Sequence, residues 1–176
     1  MDRILIIVDM QKDFVDGALG TKEAVEAARR AASKISGFQG RIIATLDTHG
    51  QDYLDTAEGK KLPVPHCIKG TAGWELHETV RQALSGKPYQ AIEKETFGSV
   101  RLAQELSKAW QDEPFEAELI GLCTDICVVS NALLLKAYLP QMRVIVDAAC
   151  CAGVTPKTHE AALETMKMCQ IEVAGD

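Results

Sequence analysis

The sequence predicts a three-layer α/β/α sandwich built on a mostly parallel sheet of about six strands. Three observations lead there. Apolar runs of strand length recur along the chain, such as RILIIV at 3–8 and AELIGL at 117–122. They are near-continuous rather than alternating, the pattern of strands buried on both faces. Stretches of helical composition separate them, so strand and helix alternate, and right-handed crossovers then restrict the topology.

The elements follow in order. Residues 3–8 form the first run and end at Asp9. Residues 21–35 have helical composition, with Thr21 in a capping position. RIIATL at 41–46 is the second run and ends at Asp47. Residues 48–73 show little periodicity and read as a long loop. A helix is predicted over 75–84, a short strand over 89–92 leading to Lys94, and a helix over 100–110. The run at 117–122 leads into a helix from about 125 to 138. RVIV at 143–146 is the fifth run, 155–168 is helical, and 171–174 is a last short strand. No repeat, low-complexity tract or linker interrupts the series, so residues 1–176 are expected to form one domain.

Bulk properties remove several function classes. At 176 residues the chain can bury a sizeable core. Its net charge is −6 with no basic tract, which argues against nucleic acid or anionic membrane as partner. No apolar run approaches the ~20 residues of a membrane span, and the N-terminal segment lacks the features of a signal peptide. A cytoplasmic location is expected. Six cysteines stand at 67, 123, 127, 150, 151 and 169, mostly in apolar stretches, without a C-x-x-C pair. They read as mainly reduced thiols rather than a disulfide framework.

In open α/β sheets the ligand sits outside the carboxyl ends of the strands. The residues at those ends here are Asp9, Asp47 with His49 close behind, Lys94, and the group Thr124, Asp125 and Cys127. Thr124 or Asp125 can cap the following helix, which puts Cys127 in its first turn, where N–H groups and the dipole favour a thiolate. As a residue pattern alone, a buried structural cysteine explains Cys127 equally well. Cys123 reads as a packing residue. Asp9 suits a general base beside a nucleophile, and a lone strand-end Asp also commonly caps a loop. Lys94 can hold such an acid in place or be a solvated lysine. Asp47, His49, Glu58 and His66 offer a carboxylate–imidazole set suited to zinc, manganese or iron. A polar loop with surface histidines accounts for Asp47 and His49 alone. His77 and His159 read as surface residues.

Six segments, ILIIVDMQKDF, TLDTH, PHCIKGTAGWEL, IEKETFGS, GLCTDICV and VIVDAACCAG, lie in this order over nearly the whole chain. Together they resemble the isochorismatase-like cysteine hydrolases, and the nicotinamidase branch in particular. The resemblance implies that family's Rossmann-like fold and an Asp9–Lys94–Cys127 catalytic triad acting on a small-molecule amide in NAD salvage. It implies one divalent metal ion, zinc first and then manganese or iron, on Asp47, His49, His66 and Glu58, with Asp55 as the substitute for Glu58. It implies a cis peptide between Leu122 and Cys123, and an oxyanion hole from the backbone N–H groups of Cys123 and Cys127. Phe14, Leu62 and Leu122 become substrate contacts, and a homo-oligomer, dimer or tetramer, becomes the expected assembly.

One departure bears on the substrate. Nicotinamidases usually carry an aromatic residue just before the Pro-Pro-His that holds the metal histidine, whereas this chain reads KLPVPHC. Leu62 and Pro63 stand where the aromatic is expected. Other readings on the same fold are hydrolysis of a vinyl ether, which needs no thiol, hydrolysis of another amide or carbamoyl compound, and a silent oligomeric binding module. A redox or metal-storage role for the cysteines is disfavoured by their scatter.

Overall fold

The computed structural model describes residues 2–175. Its six strands are β1 (Asp2–Val8), β2 (Arg41–Asp47), β3 (Gln90–Lys94), β4 (Phe115–Leu122), β5 (Val144–Ala152) and β6 (Glu172–Ala174). They form one sheet in the order β3-β2-β1-β4-β5-β6, and every pairing is parallel. This is the Rossmann order, whose switch point lies between β1 and β4.

Helices cover both faces. They are α1 (Lys12–Val15), α2 (Lys22–Gly37), α3 (Ala57–Lys61), α4 (Glu78–Ala83), α5 (Val100–Asp112), α6 (Val129–Tyr138) and α7 (Pro156–Met168). The two-residue period of β1 assigns the layers. Ile4, Ile6 and Val8 pack with Leu102, Leu106, Leu135 and Leu163 of α5, α6 and α7. Leu5 and Ile7 pack with Ala24, Ala27, Ala28, Ala31 and Ile35 of α2. Those five recur at helical spacing, and four of them are alanines. A helix with so small a face can lie close against the sheet. Thr21 caps it, accepting the Ala24 N–H at 3.0 Å.

Several boundaries differ from the sequence expectation for identifiable reasons. The helix expected over 75–84 begins only at Glu78. The preceding backbone is already used: Glu75 O accepts the Lys12 N–H at 2.9 Å, and Leu76 bridges to Gln11. Residues 48–73 contain a 3₁₀ turn (Tyr53–Asp55) and α3, both too short to show a period. β5 continues to Ala152 because its register against β4 shifts between Leu119 and Gly121. That irregularity exchanges faces, so Val146 and Cys151 share one side while Cys150 lies on the other. Among the described residues no helix is long and apolar enough to cross a membrane.

Gly121 sits at the switch point with φ 134°. A Cβ there would lie 2.0 Å from the Val8 carbonyl oxygen, a backbone atom of the adjoining strand. Gly121→Ala should therefore destabilise the protein by at least ~2 kcal/mol, combining a forbidden φ with overpacking. Denaturant unfolding of the purified variant measures this, and an unchanged midpoint would contradict it.

Candidate active site and metal cluster

Four neighbouring strands deliver the site from their carboxyl ends. Asp9 follows β1 at φ 47°, a left-handed conformation that Asp tolerates better than most residues. Asp47 closes β2, Lys94 closes β3, and Leu122 closes β4 immediately before Cys123. All of Asp9, Asp47, Lys94 and Cys127 are buried.

The Lys94 ammonium joins them. Its Nζ lies 2.6 Å from Asp9 Oδ2, 3.2 Å from Asp47 Oδ1 and 3.5 Å from Cys127 Sγ. Thr45 Oγ1 donates to the other Asp9 oxygen at 2.6 Å. Apart from its ion pair with Lys94, Asp9 Oδ2 accepts no hydrogen bond. Burial raises the Asp9 pKa above the usual carboxylate value, Lys94 opposes this, and the Asp47 charge adds to it. Burial works against the Lys94 charge, but Asp9, Cys127 and Asp47 outweigh it and hold that pKa above the ordinary lysine value. Burial and then the Asp9 carboxylate lift the Cys127 thiol well above its ordinary value, with Lys94 pulling the other way. The Asp9 carboxylate, paired with Lys94, is the base adjacent to this thiol.

Cys127 lies in a π-helical turn (Thr124–Val128) that precedes α6, rather than in a regular first turn of helix. Neither expected cap is used: the N-cap position falls on Cys123 with no side-chain bond. Thr124 Oγ1 bonds instead to His159 Nδ1 at 2.7 Å, and the Asp125 carboxylate accepts the Val154 N–H at 3.1 Å. The turn that carries Cys127 is thus held from the β5–α7 side. His159 and His77, expected at the surface, are half-buried. His77 Nδ1 accepts the Thr79 N–H that opens α4. The Leu122–Cys123 peptide is cis. Burial pushes the Cys123 thiol up to about 12, so it stays protonated at neutral pH.

Beside this group, donor atoms of Asp47, His49, Glu58 and His66 all lie within 4.8 Å of one another. His49 Nε2 is 3.0 Å from Asp47 Oδ2, and His66 Nε2 is 3.8 Å from the same oxygen. Glu58 Oε1 is 3.8 Å from His49 Nε2 and 3.6 Å from His66 Nε2. Ligands ~2.0–2.1 Å from a tetrahedral ion stand ~3.3 Å apart, so the set fits one divalent cation in size and chemistry. His66 Nδ1 lies 2.8 Å from the Val64 carbonyl. A proton on Nδ1 bonded there leaves the Nε2 lone pair facing the cluster. Asp55 is exposed and outside the cluster, so Glu58 is the fourth member. Phe14, Leu62 and Leu122 line a cavity of about 310 Å³ that also reaches Cys127, Glu58 and His66.

Some residues that build the site were not singled out in sequence. Gln11, fully buried, donates to the carbonyls of Asp47 and Trp74 and accepts the Asp47 N–H, each at 2.8 Å. Its position inside the VDMQKDF segment was the available signal. Tyr53 packs edge-on to both His49 and His66, with ring centroids 4.8 and 5.0 Å away, and its hydroxyl donates to Leu62 O. Thr45 and Asn131 are similar: Asn131 donates to Cys127 O at 2.8 Å. Nothing in an aperiodic loop or a mid-strand threonine announces such a contact.

The chain matches the isochorismatase domain over residues 3–175 and belongs to the isochorismatase family. Within it, the protein is a hydrolase similar to the nicotinamidases. It is 29% identical over 186 residues to the nicotinamidase/pyrazinamidase of Mycobacterium tuberculosis, with 97% of each chain covered. The crystal structure of a nicotinamidase/pyrazinamidase from Bacillus subtilis superposes with a TM-score of 0.83 at 28% identity, covering 99% of this chain and 100% of that one. A pyrazinamidase of Pyrococcus horikoshii in complex with zinc shares the fold, with a TM-score of 0.77 at 24% identity over the full length of both.

Removing the central cation should be costly because two buried carboxylates would lose their shared partner. Lys94→Met is expected to destabilise the protein by ~3–5 kcal/mol. Adding Asp9→Asn to it should restore part of the loss, since one buried charge goes with it. Denaturant titration of the two variants checks both statements; a Lys94→Met protein as stable as the wild type would refute the first.

Proposed function

We propose that this protein is a metal-containing cysteine amidohydrolase that converts a small carboxamide, of the nicotinamide type, to its carboxylate and ammonia through a thioester on Cys127. The observation that carries the reading is the Lys94 ammonium set between Asp9, Asp47 and Cys127. The relatives named nicotinamidase support the substrate type.

Asp9 takes the Cys127 proton as the sulfur attacks the amide carbon. The carbonyl oxygen becomes an oxyanion held by the backbone N–H groups of Cys123 and Cys127. Asp9 returns the proton to the leaving nitrogen, ammonia departs, and the acyl group remains on sulfur. Asp9 then draws a proton from water, which attacks the thioester and regenerates the thiol. Lys94 keeps Asp9 anionic between proton transfers and fixes the direction of its carboxylate. Asp47, His49, Glu58 and His66 would hold the cation. When bound, it supplies a Lewis-acidic point to which a ring nitrogen of the substrate can attach, orienting the amide rather than activating it. Zinc fits this donor set best, with manganese or iron as substitutes. A homo-oligomer belongs to the same reading through the family resemblance, and a cytoplasmic location through the sequence expectation.

Ammonia release from nicotinamide, pyrazinamide and aliphatic amides tests the activity. Cys127→Ala should abolish it in a protein that remains folded, whereas Cys123→Ala should retain it, because only the Cys123 backbone N–H takes part. Equal damage from both substitutions would overturn the division of roles. Elemental analysis should find one divalent metal ion per chain, lost in the His49→Ala/His66→Ala variant. Metal-free protein as isolated, with full activity, would refute the metal assignment.

A further inference from the structure

The inner cavity does not end at its own wall. A second, larger groove of about 940 Å³ lies against it, and the two share Glu58, Leu62, Phe97 and Ile126 as lining residues. The two spaces therefore adjoin at a sill made by these side chains. Cys127, Asp47 and His66 belong to the inner part only, while Lys61, Glu95 and Ser130 belong to the outer part only.

Three of the four sill side chains are apolar, and two of these are exposed. Leu62 is 38% and Phe97 44% exposed, and they stand on the two loops that follow β2 and β3. A single exposed hydrophobic residue is ordinary, but neighbouring ones rimming a cavity mark a binding surface. Both side chains line the inner part and the outer groove, so a one-ring amide held beside Cys127 in the inner part does not fill the outer groove that they also line. Ligand sites usually bury most of the ligand and use the apolar surface around it. Charge restricts the occupant further. The outer groove offers one ammonium, Lys61, against the carboxylates of Glu58, Glu95 and Asp125, and the Asp125 carboxylate already accepts the Val154 N–H. No group of cations there could receive a phosphate or carboxylate.

We infer that the substrate is a carboxamide whose acyl part extends beyond one ring as an uncharged, apolar body, and that Leu62, Phe97 and Ile126 set this preference by covering it as it crosses the sill. The inference rests on the amidohydrolase reading and narrows its substrate class.

The test uses the purified full chain with its bound metal. kcat/KM is measured for nicotinamide, for nicotinamides carrying a propyl or phenyl group at each free ring carbon, and for the same compounds with a carboxylate on that group. At least one propyl or phenyl derivative should exceed nicotinamide by about tenfold or more, chiefly through a lower KM, and its carboxylate counterpart should not. In Phe97→Ala the ratio of extended to unextended substrate should fall towards one. Nicotinamide outperforming every extended amide would overturn the inference and leave the amidohydrolase reading intact. An advantage for extended amides that Phe97→Ala does not change would remove the sill from the account. Rejection of extended amides, together with a dimer that Phe97→Ala dissociates in sedimentation, would assign the sill to a second copy of the chain. Ammonia from none of the compounds would overturn both readings.

Discussion

One buried ammonium organises this molecule's working end. Lys94 reaches from the end of β3 under the sheet's rim and meets two carboxylates and a thiol. A lone cation in that position would be prohibitively desolvated, and so would either carboxylate without it. Each of the three charges is tolerated because the other two are present. The geometry is consequently over-determined: a shift in any of three strands breaks an ion pair that has no water to replace it. At Asp9 burial raises the carboxyl pKa and Lys94 opposes it, beside a thiol that burial lifts well above its ordinary value.

Asp47 extends this constraint into the metal cluster. Its Oδ1 faces Lys94 and its Oδ2 faces His49, so one side chain belongs to both halves of the site. Gln11 locks that residue's backbone from both directions, accepting its N–H and donating to its carbonyl. Since Gln11 follows β1 and Asp47 ends β2, the relative height of two strand ends is fixed by one side-chain amide. Tyr53 does comparable work from below, seating both imidazoles against one phenol ring whose hydroxyl holds the Leu62 carbonyl. Asp9 and Cys127, the Asp47–His49–Glu58–His66 cluster and the wall of the cavity are therefore parts of a single connected network.

The layers of the fold were readable because buried parallel strands leave unbroken apolar runs and α2, α5 and α7 carry ordinary caps or periods. Asp9, Asp47, Lys94 and Cys127 were readable because open α/β sheets place chemistry at strand ends. Glu58 was harder, since Asp55 lies in the same short loop and only the local turn decides which carboxylate points inward. The π-helical turn at Thr124 escaped notice: its residues look like helix caps, and the partners that draw them away, His159 and Val154, come from a distant segment. The far end of β5 is not legible because Asp147 and the alanines at 148, 149 and 152 break the apolar run that ends at Val146. In each case the missing information lay in contacts between segments far apart in the chain.

The strand order has a consequence for when reactivity arises. Asp9 and Thr45 are 36 residues apart, Lys94 and Asp47 are 47 apart, and Lys94 and Cys127 are 33 apart. No hairpin or helix-sized piece of the chain contains a base, its cation and the nucleophile together. Contacts of such separation close late, after the entropy of several loops has been lost. During synthesis Cys127 emerges from the ribosome after every other member of its group. Until the sheet is complete, Cys127 has neither Asp9 nor Lys94 beside it. The topology thus ties the assembly of Asp9, Lys94 and Cys127 to completion of the sheet.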